Sequence, residues 1–406
     1  MPSRSVDIDT AQPREEKEKS PKLHDDTLGI ELVAAGLEFP TSMRFLDANN
    51  ILVLQKDDGK VLLVSDGKLH NQPVLQVRVA NEAERGLLGI AIWNNGSSSN
   101  STSVFLYLTE IVDESLRNRA YKYSYDWNEK ILANQTLILD LPGEPGPFHN
   151  GGKIAIGPYD GYLYAVIGDV NAGGGILDNE ISGRDLDDKS VILRVDKETG
   201  LAVESNPFYH GKMEKLKRYY AYGIRNSFGM DFDPISHNVW ITENGPETYD
   251  EINIIRPGFN SGWHKVIGPI SRNNVTMDEL VLFDGAKYED PVFSWYATIG
   301  VTDIEFFDSK KLGEKYENNI FVGDINNGNL YFFEVNPERT GLVFRDSRLS
   351  DLVADQVQSN EPREISSILL GEGFERITDI ETGPDGFLYI LTYEDGKIYR
   401  IVNNKG

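Results

Sequence analysis

TDIETGPDGFLYILTYEDGKIYRIV, residues 378–402, contains three short apolar runs separated by two turns. The runs TDIET, FLYILT and KIYRIV alternate apolar and polar side chains or are continuously apolar over four to six positions, as strands do. Gly383-Pro384-Asp385-Gly386 and Glu394-Asp395-Gly396 supply turn chemistry between them. Proline presets one turn dihedral, aspartate caps its own backbone, and glycine accepts the left-handed region. The stretch therefore reads as three antiparallel strands. One such sheet leaves apolar surface uncovered and needs neighbours of its own kind.

Five further copies lie upstream. They are MRFLDANNILVLQKDDGKVLLVS (43–65), LLGIAIWNN (87–95) followed by VFLYLTE (104–110), GGKIAIGPYDGYLYAVIGD (151–169), FGMDFDPISHNVWITENG (228–245), and TDIEFFD (302–308) followed by NNIFVGDINNGNLYFFEV (318–335). Their starts are unevenly spaced, which a stacked solenoid does not tolerate. Blades around an axis do, so an all-β, six-bladed β-propeller is expected over residues 29–406. A two-sheet sandwich or a pair of β domains is the competing reading. The strand at Ile30–Ala35 is expected to complete the last blade and close the ring. Residues 1–28 show almost no apolar periodicity and are expected to be a disordered N-terminal tail.

The chain has 406 residues, with 40 Lys plus Arg against 64 Asp plus Glu, for a net charge of −24. Such a polyanion argues against a nucleic-acid partner. There is no apolar run long enough for a membrane span. With no Cys and six His, thiol chemistry, disulfides and common zinc sites are excluded or poorly supplied. The carboxylates favour a hard cation such as calcium. Residues 1–28 hold no apolar signal-peptide core. Asn-x-Ser/Thr triplets at Asn95, Asn100, Asn134 and Asn274 are expected on surface loops and give weak support for an extracytoplasmic or secreted protein.

Five places carry candidate chemistry. His149 precedes one strand of the third copy and Asp169 follows the next, so both reach the same rim; a carboxylate beside an imidazole makes a general base. Arg225 and Asn226 precede the fourth copy, where an arginine can stabilise an oxyanion or bind a carboxylate. Glu243, Asn244, Glu247, Asp250 and Glu251 surround Gly245-Pro246, a turn able to offer main-chain oxygens to calcium. Trp295, Tyr296 and Thr298 offer flat faces and a donor, although such aromatics commonly pack between sheets. Arg376 and Thr378 open the sixth copy; Arg376 suits an anionic ligand, or else a surface ion pair.

The motifs GLLGIAI, FHNGGKIAIGP…VIGD, YGIRNSFGMDFDP, TENGPETYDEINII and ERITDIETGPDGFLYILT occur in that order between about Leu37 and Val402. Together they resemble the soluble quinoprotein glucose dehydrogenase and aldose sugar dehydrogenase family. The resemblance implies a six-bladed propeller that binds pyrroloquinoline quinone (PQQ) and calcium and oxidises sugars at the anomeric carbon. It implies His149 as base, Asp169 as its orienting carboxylate and Arg225 as the residue that stabilises the reduced quinone. The carbonyls of Gly245 and Pro246 correspond to calcium ligands, with Asp250 beside them. Asn226, Asn244, Tyr296, Thr298, Arg376 and Thr378 fall at or near quinone-binding positions.

Several positions depart from the family pattern: Asn244 takes the place of a glutamine, and the segment Trp295–Thr302 lacks the usual prolines. Phe228 replaces a polar quinone ligand, Thr378 replaces the second arginine of an Arg-x-Arg pair, and Asn326 stands where the glucose enzymes have lysine. PQQ carries three carboxylates, and each charged contact contributes about 1.5–3 kcal/mol. Losing two cations is expected to weaken binding. The sequence therefore keeps a second reading open: a calcium-binding propeller without the quinone, acting as a binding protein or a lactone hydrolase.

Overall fold

The computed structural model describes residues 20–94, 102–183, 185–355 and 364–404. The fold is an all-β propeller. Its hydrogen-bonded strands divide into six sheets, each built mainly from consecutive antiparallel strands. Their first strands are Pro40–Phe45, Leu87–Asn94, Ile154–Ile156, Gly229–Phe232, Val301–Phe307 and Ile377–Thr382. Each touches the next, and the last touches the first, so the six surround one axis.

The apolar core lies between sheets. Leu52, Leu54, Ile90 and Leu106 join the first two sheets. Tyr107 and Leu163 join the next pair, and Trp240 and Ile304 the fourth and fifth. Met43, Ile51, Tyr389 and Ile398 pack the last sheet on the first. A propeller sheet is therefore buried on both faces, which explains its continuous apolar runs such as LYILT at Leu388–Thr392.

Closure is made by the chain ends. Leu28–Ala35 pairs antiparallel with Lys397–Asn403, as expected for a strand at Ile30–Ala35. The expected tail, however, is too long at its C-terminal end. Lys22–Leu23 adds to the free edge of Leu369–Glu372, and Asp25 accepts hydrogen bonds from Thr27 and Tyr316. Edge pairing satisfies backbone groups without apolar periodicity, so composition alone placed residues 20–28 outside the fold. Residues 1–19 lie outside the described residues.

Asn95 and Asn100 also lie outside the described residues. Asn274 is exposed between two short 3-10 helices. Asn134, expected on a loop, is exposed within the strand Ile131–Pro142, at a register irregularity. No helix among the described residues is long and apolar enough to cross a membrane.

The inner strands bury charge along the axis. Lys153 Nζ lies 2.6 Å from Asp303 and 2.9 Å from Asp379. Arg44 pairs with Asp379 and Glu381 toward the opposite mouth. Burial opposes ionisation of Asp379, but Lys153 and Arg44 hold its carboxyl below the usual range. Burial pushes Asp303 and Glu305 well up, and Asp231 up to about 6.

Candidate active site at one mouth of the propeller

His149 sits in the left-handed region, at φ 61°. A non-glycine residue held there is strained and needs surroundings that fix it. Glu84 provides one fixture, accepting the His149 backbone N–H at 2.7 Å. The Asp169 backbone N–H donates to the Arg225 carbonyl, and the Val170 N–H to that of His149. These bonds bring the third- and fourth-copy loops together.

His149 Nδ1 is 2.6 Å from Asp169 Oδ1. The other carboxylate oxygen accepts Trp263 Nε1–H at 3.0 Å. Asp169 also accepts the Asn171 N–H at 2.8 Å. Both side chains are largely buried. An ionised aspartate on Nδ1 fixes the proton there and leaves Nε2 with its lone pair. The imidazole is thus held as a base by a carboxylate that is itself held by an indole.

Arg225 lies against the Trp263 ring, 5.3 Å from its centroid. It donates to the Asn244 carbonyl at 2.8 Å. Among the described residues, its Nε is buried without a partner. Burial lowers the pKa of this guanidinium, against the pull of Asp169 and Glu243. An unpaired buried donor on a cation is a ready contact for an anion.

Asn226 spends its side chain within the protein: it donates to Glu84 at 3.0 Å and accepts from the Gly151 N–H. Asn244 donates to the Val301 carbonyl at 2.8 Å. At Gly245 a Cβ would meet the Thr248 carbonyl at 2.1 Å, so the turn requires glycine. Among the described residues, the carbonyls of Gly245 and Pro246 accept no hydrogen bond. They are oxygens that a hard cation could take.

Asp250, expected among the metal ligands and cofactor contacts, is placed otherwise. Its Oδ1 accepts the Gly245 N–H, and its Oδ2 the N–H groups of Ile299, Gly300 and Val301. Four amides fill the acceptor sites of one carboxylate, so Asp250 braces the turn from behind. Burial raises its pKa while those amides lower it. Glu243 accepts the Arg225 N–H and the Ser261 hydroxyl; burial pushes it up to about 7. Burial, with Glu243 nearby, pushes Glu251 up to about 8. Among the described residues, no three His, Asp or Glu side chains converge as a metal site. Calcium at this turn would rest on main-chain oxygens.

Beside this cluster opens a cavity of about 250 Å³. Its wall includes Lys56, Glu84, Gly151, Lys153, Phe228, Ile325, Arg376 and Thr378. Arg376, half exposed, pairs with Glu394 at 3.1 Å while also lining the cavity. Thr378 donates to the Pro40 carbonyl at 3.0 Å. Asn326 is exposed and does not line the wall. Trp295 is core, while Tyr296 is 42% exposed and packs edge-on against Tyr249. Thr298 is half buried in the following loop; neither Tyr296 nor Thr298 lines this cavity. Glu84, Trp263 and Lys56 were missed as site residues. Glu84 stands two positions before GLLGIAI, and Trp263 lies eight positions beyond the end of TENGPETYDEINII.

The Glucose / Sorbosone dehydrogenase family model matches residues 37–400. The aldose sugar dehydrogenase YliI of Escherichia coli K12 is 26% identical over 379 residues, covering 92% of this chain and 93% of its own. Quinoprotein glucose dehydrogenase B of Acinetobacter calcoaceticus is 26% identical over 268 residues, covering 61% and 54%. Among solved structures, a putative oxidoreductase (glucose dehydrogenase) of Thermus thermophilus superposes with a TM-score of 0.71 at 25% identity, over 92% of this chain and 100% of that one. The PQQ-bound aldose sugar dehydrogenase of Streptomyces coelicolor shares the fold, with a TM-score of 0.67 at 23% identity over 95% and 99%. With a match that spans nearly the whole described body, the chain belongs to the glucose/sorbosone dehydrogenase family.

Proposed function

We propose that this protein is a quinoprotein oxidoreductase that oxidises aldose sugars at the anomeric carbon with PQQ and calcium. Each of the six sheets is taken as one blade. The observation that carries the reading is the bonded series His149–Asp169–Trp263, set beside a buried, partly unpaired Arg225.

His149 Nε2 takes the proton of the anomeric hydroxyl. Asp169 holds the ring in the required tautomer and stabilises the imidazolium that results. Arg225 lies off the cavity wall, beside Gly245 and Pro246, and its buried Nε would serve an anionic group that reaches that turn. Gly245 and Pro246 offer the carbonyls for calcium, and Asp250 fixes their turn. Asn226 and Asn244 position Glu84 and the Arg225 loop. Arg376 and Thr378 border the ligand cavity, whereas Tyr296 and Thr298 lie off its wall. PQQ, when bound, would supply the hydride-accepting chemistry, and calcium on the Gly245 and Pro246 carbonyls would supply a Lewis acid.

The test is reconstitution with PQQ and calcium, followed by dye reduction with several aldoses and detection of the lactone. Lactone formed in step with dye reduction supports the reading; no dye reduction with any aldose contradicts it.

A further inference from the structure

The protein carries a net charge of −24, yet the cavity beside the His149–Asp169 pair is lined by three cationic residues, Lys56, Lys153 and Arg376, against two acidic ones, Glu84 and Asp379. The acids already have partners. Glu84 is held by the His149 and Asn226 donors, and Asp379 by Lys153 and the Met43 N–H. Lys153 is spent on Asp303 and Asp379. That leaves Lys56 and Arg376 as the cations a ligand meets.

Lys56 comes from the end of the second strand of the first sheet, next to the sixth sheet that supplies Arg376 and Thr378. Lysine is rarely this buried, at 9% exposure, unless something holds it there. Its ammonium bonds Asp57 and, at 3.4 Å, the Asn81 carbonyl. An ammonium has three donors, and the two acceptors it meets among the described residues leave one. Asp57 does not line the cavity, and neither does Glu394, the partner of Arg376. Each cation thus faces the cavity while its counter-charge lies outside it.

We propose that Lys56 supplies, from the first sheet, the cation that Thr378 does not supply from the sixth, and that with Arg376 it clamps a carboxylate of the quinone. The proposal rests on the functional reading above. A desolvated charge-assisted contact at this depth is worth roughly a tenfold to hundredfold change in affinity.

The experiment is an absorbance titration of the calcium-loaded protein with PQQ, comparing wild type, Lys56→Gln, Lys56→Arg and Lys60→Gln. Lys60 lies in the neighbouring strand, paired with Asp58 and away from the cavity wall. Lys56→Gln is expected to raise Kd roughly tenfold or more and to weaken its salt dependence. Lys56→Arg should stay near wild type, and Lys60→Gln should change nothing. Thermal melts of each variant verify folding, and the Arg variant keeps the test open if Gln does not fold. Wild-type binding with an unchanged Kd in folded Lys56→Gln, or an arginine variant as weak as the glutamine one, overturns the clamp alone. No binding by wild type overturns the functional reading and the clamp with it.

Discussion

The site is decided by which polar atoms are already bonded. His149 and Asp169 were readable because they flank one hairpin of one copy. Glu84 and Trp263 were not, because they reach the pair from 65 and 94 positions away. Asp169→Asn should keep the fold but put the imidazole in the wrong tautomer. We expect kcat to fall by about 10²–10⁴, with the sugar KM little changed, in steady-state dye reduction. Asp250 makes the opposite prediction. Removing its carboxylate leaves four amides, two of them fully buried, without that acceptor. Asp250→Ala should cost about 3–5 kcal/mol in urea unfolding and abolish any calcium-dependent rise in Tm. A loss under about 1 kcal/mol would show that water or the backbone replaces it.

At the scale of strands, alternation and turn chemistry are local, so the strands and turns of an all-β propeller were legible in the sequence. Partners across the axis are not local. Nothing in GGKIAIG marks Lys153 as the cation between Asp303 and Asp379, which arrive on strands of two other sheets. The edge strand Lys22–Leu23 was equally hidden, since backbone pairing leaves no side-chain pattern. Lys153→Met should strand two buried carboxyls and destabilise by about 3–5 kcal/mol, read from the urea midpoint. A near-neutral change would mean that the axial charges are not coupled.

The whole molecule is a ring in which each sheet is stable through its neighbours, with charge sequestered at the axis. That charge sets a pH dependence. Burial raises Glu305 well above its usual range, with Asp231 adding repulsion. The folded state therefore holds this proton more tightly than the unfolded state. Its contribution is complete below the ordinary glutamate pKa and is lost as pH rises through the raised value. Glu305→Gln keeps an acceptor for the Thr382 N–H. It should flatten the fall in Tm as pH rises above the ordinary glutamate range, and an unchanged slope would assign that fall to other groups. The low number of His and absence of Cys left carboxylates and main-chain oxygens to carry the chemistry, which is why one imidazole matters so much. The most direct test of the central claim is the initial rate of aldose-dependent dye reduction by protein loaded with PQQ and calcium, wild type beside His149→Ala. The account predicts turnover by wild type and a loss of about 10²–10⁴ in kcat in the variant; a wild-type protein that binds both groups yet oxidises no aldose, or a variant as fast as wild type, would contradict it.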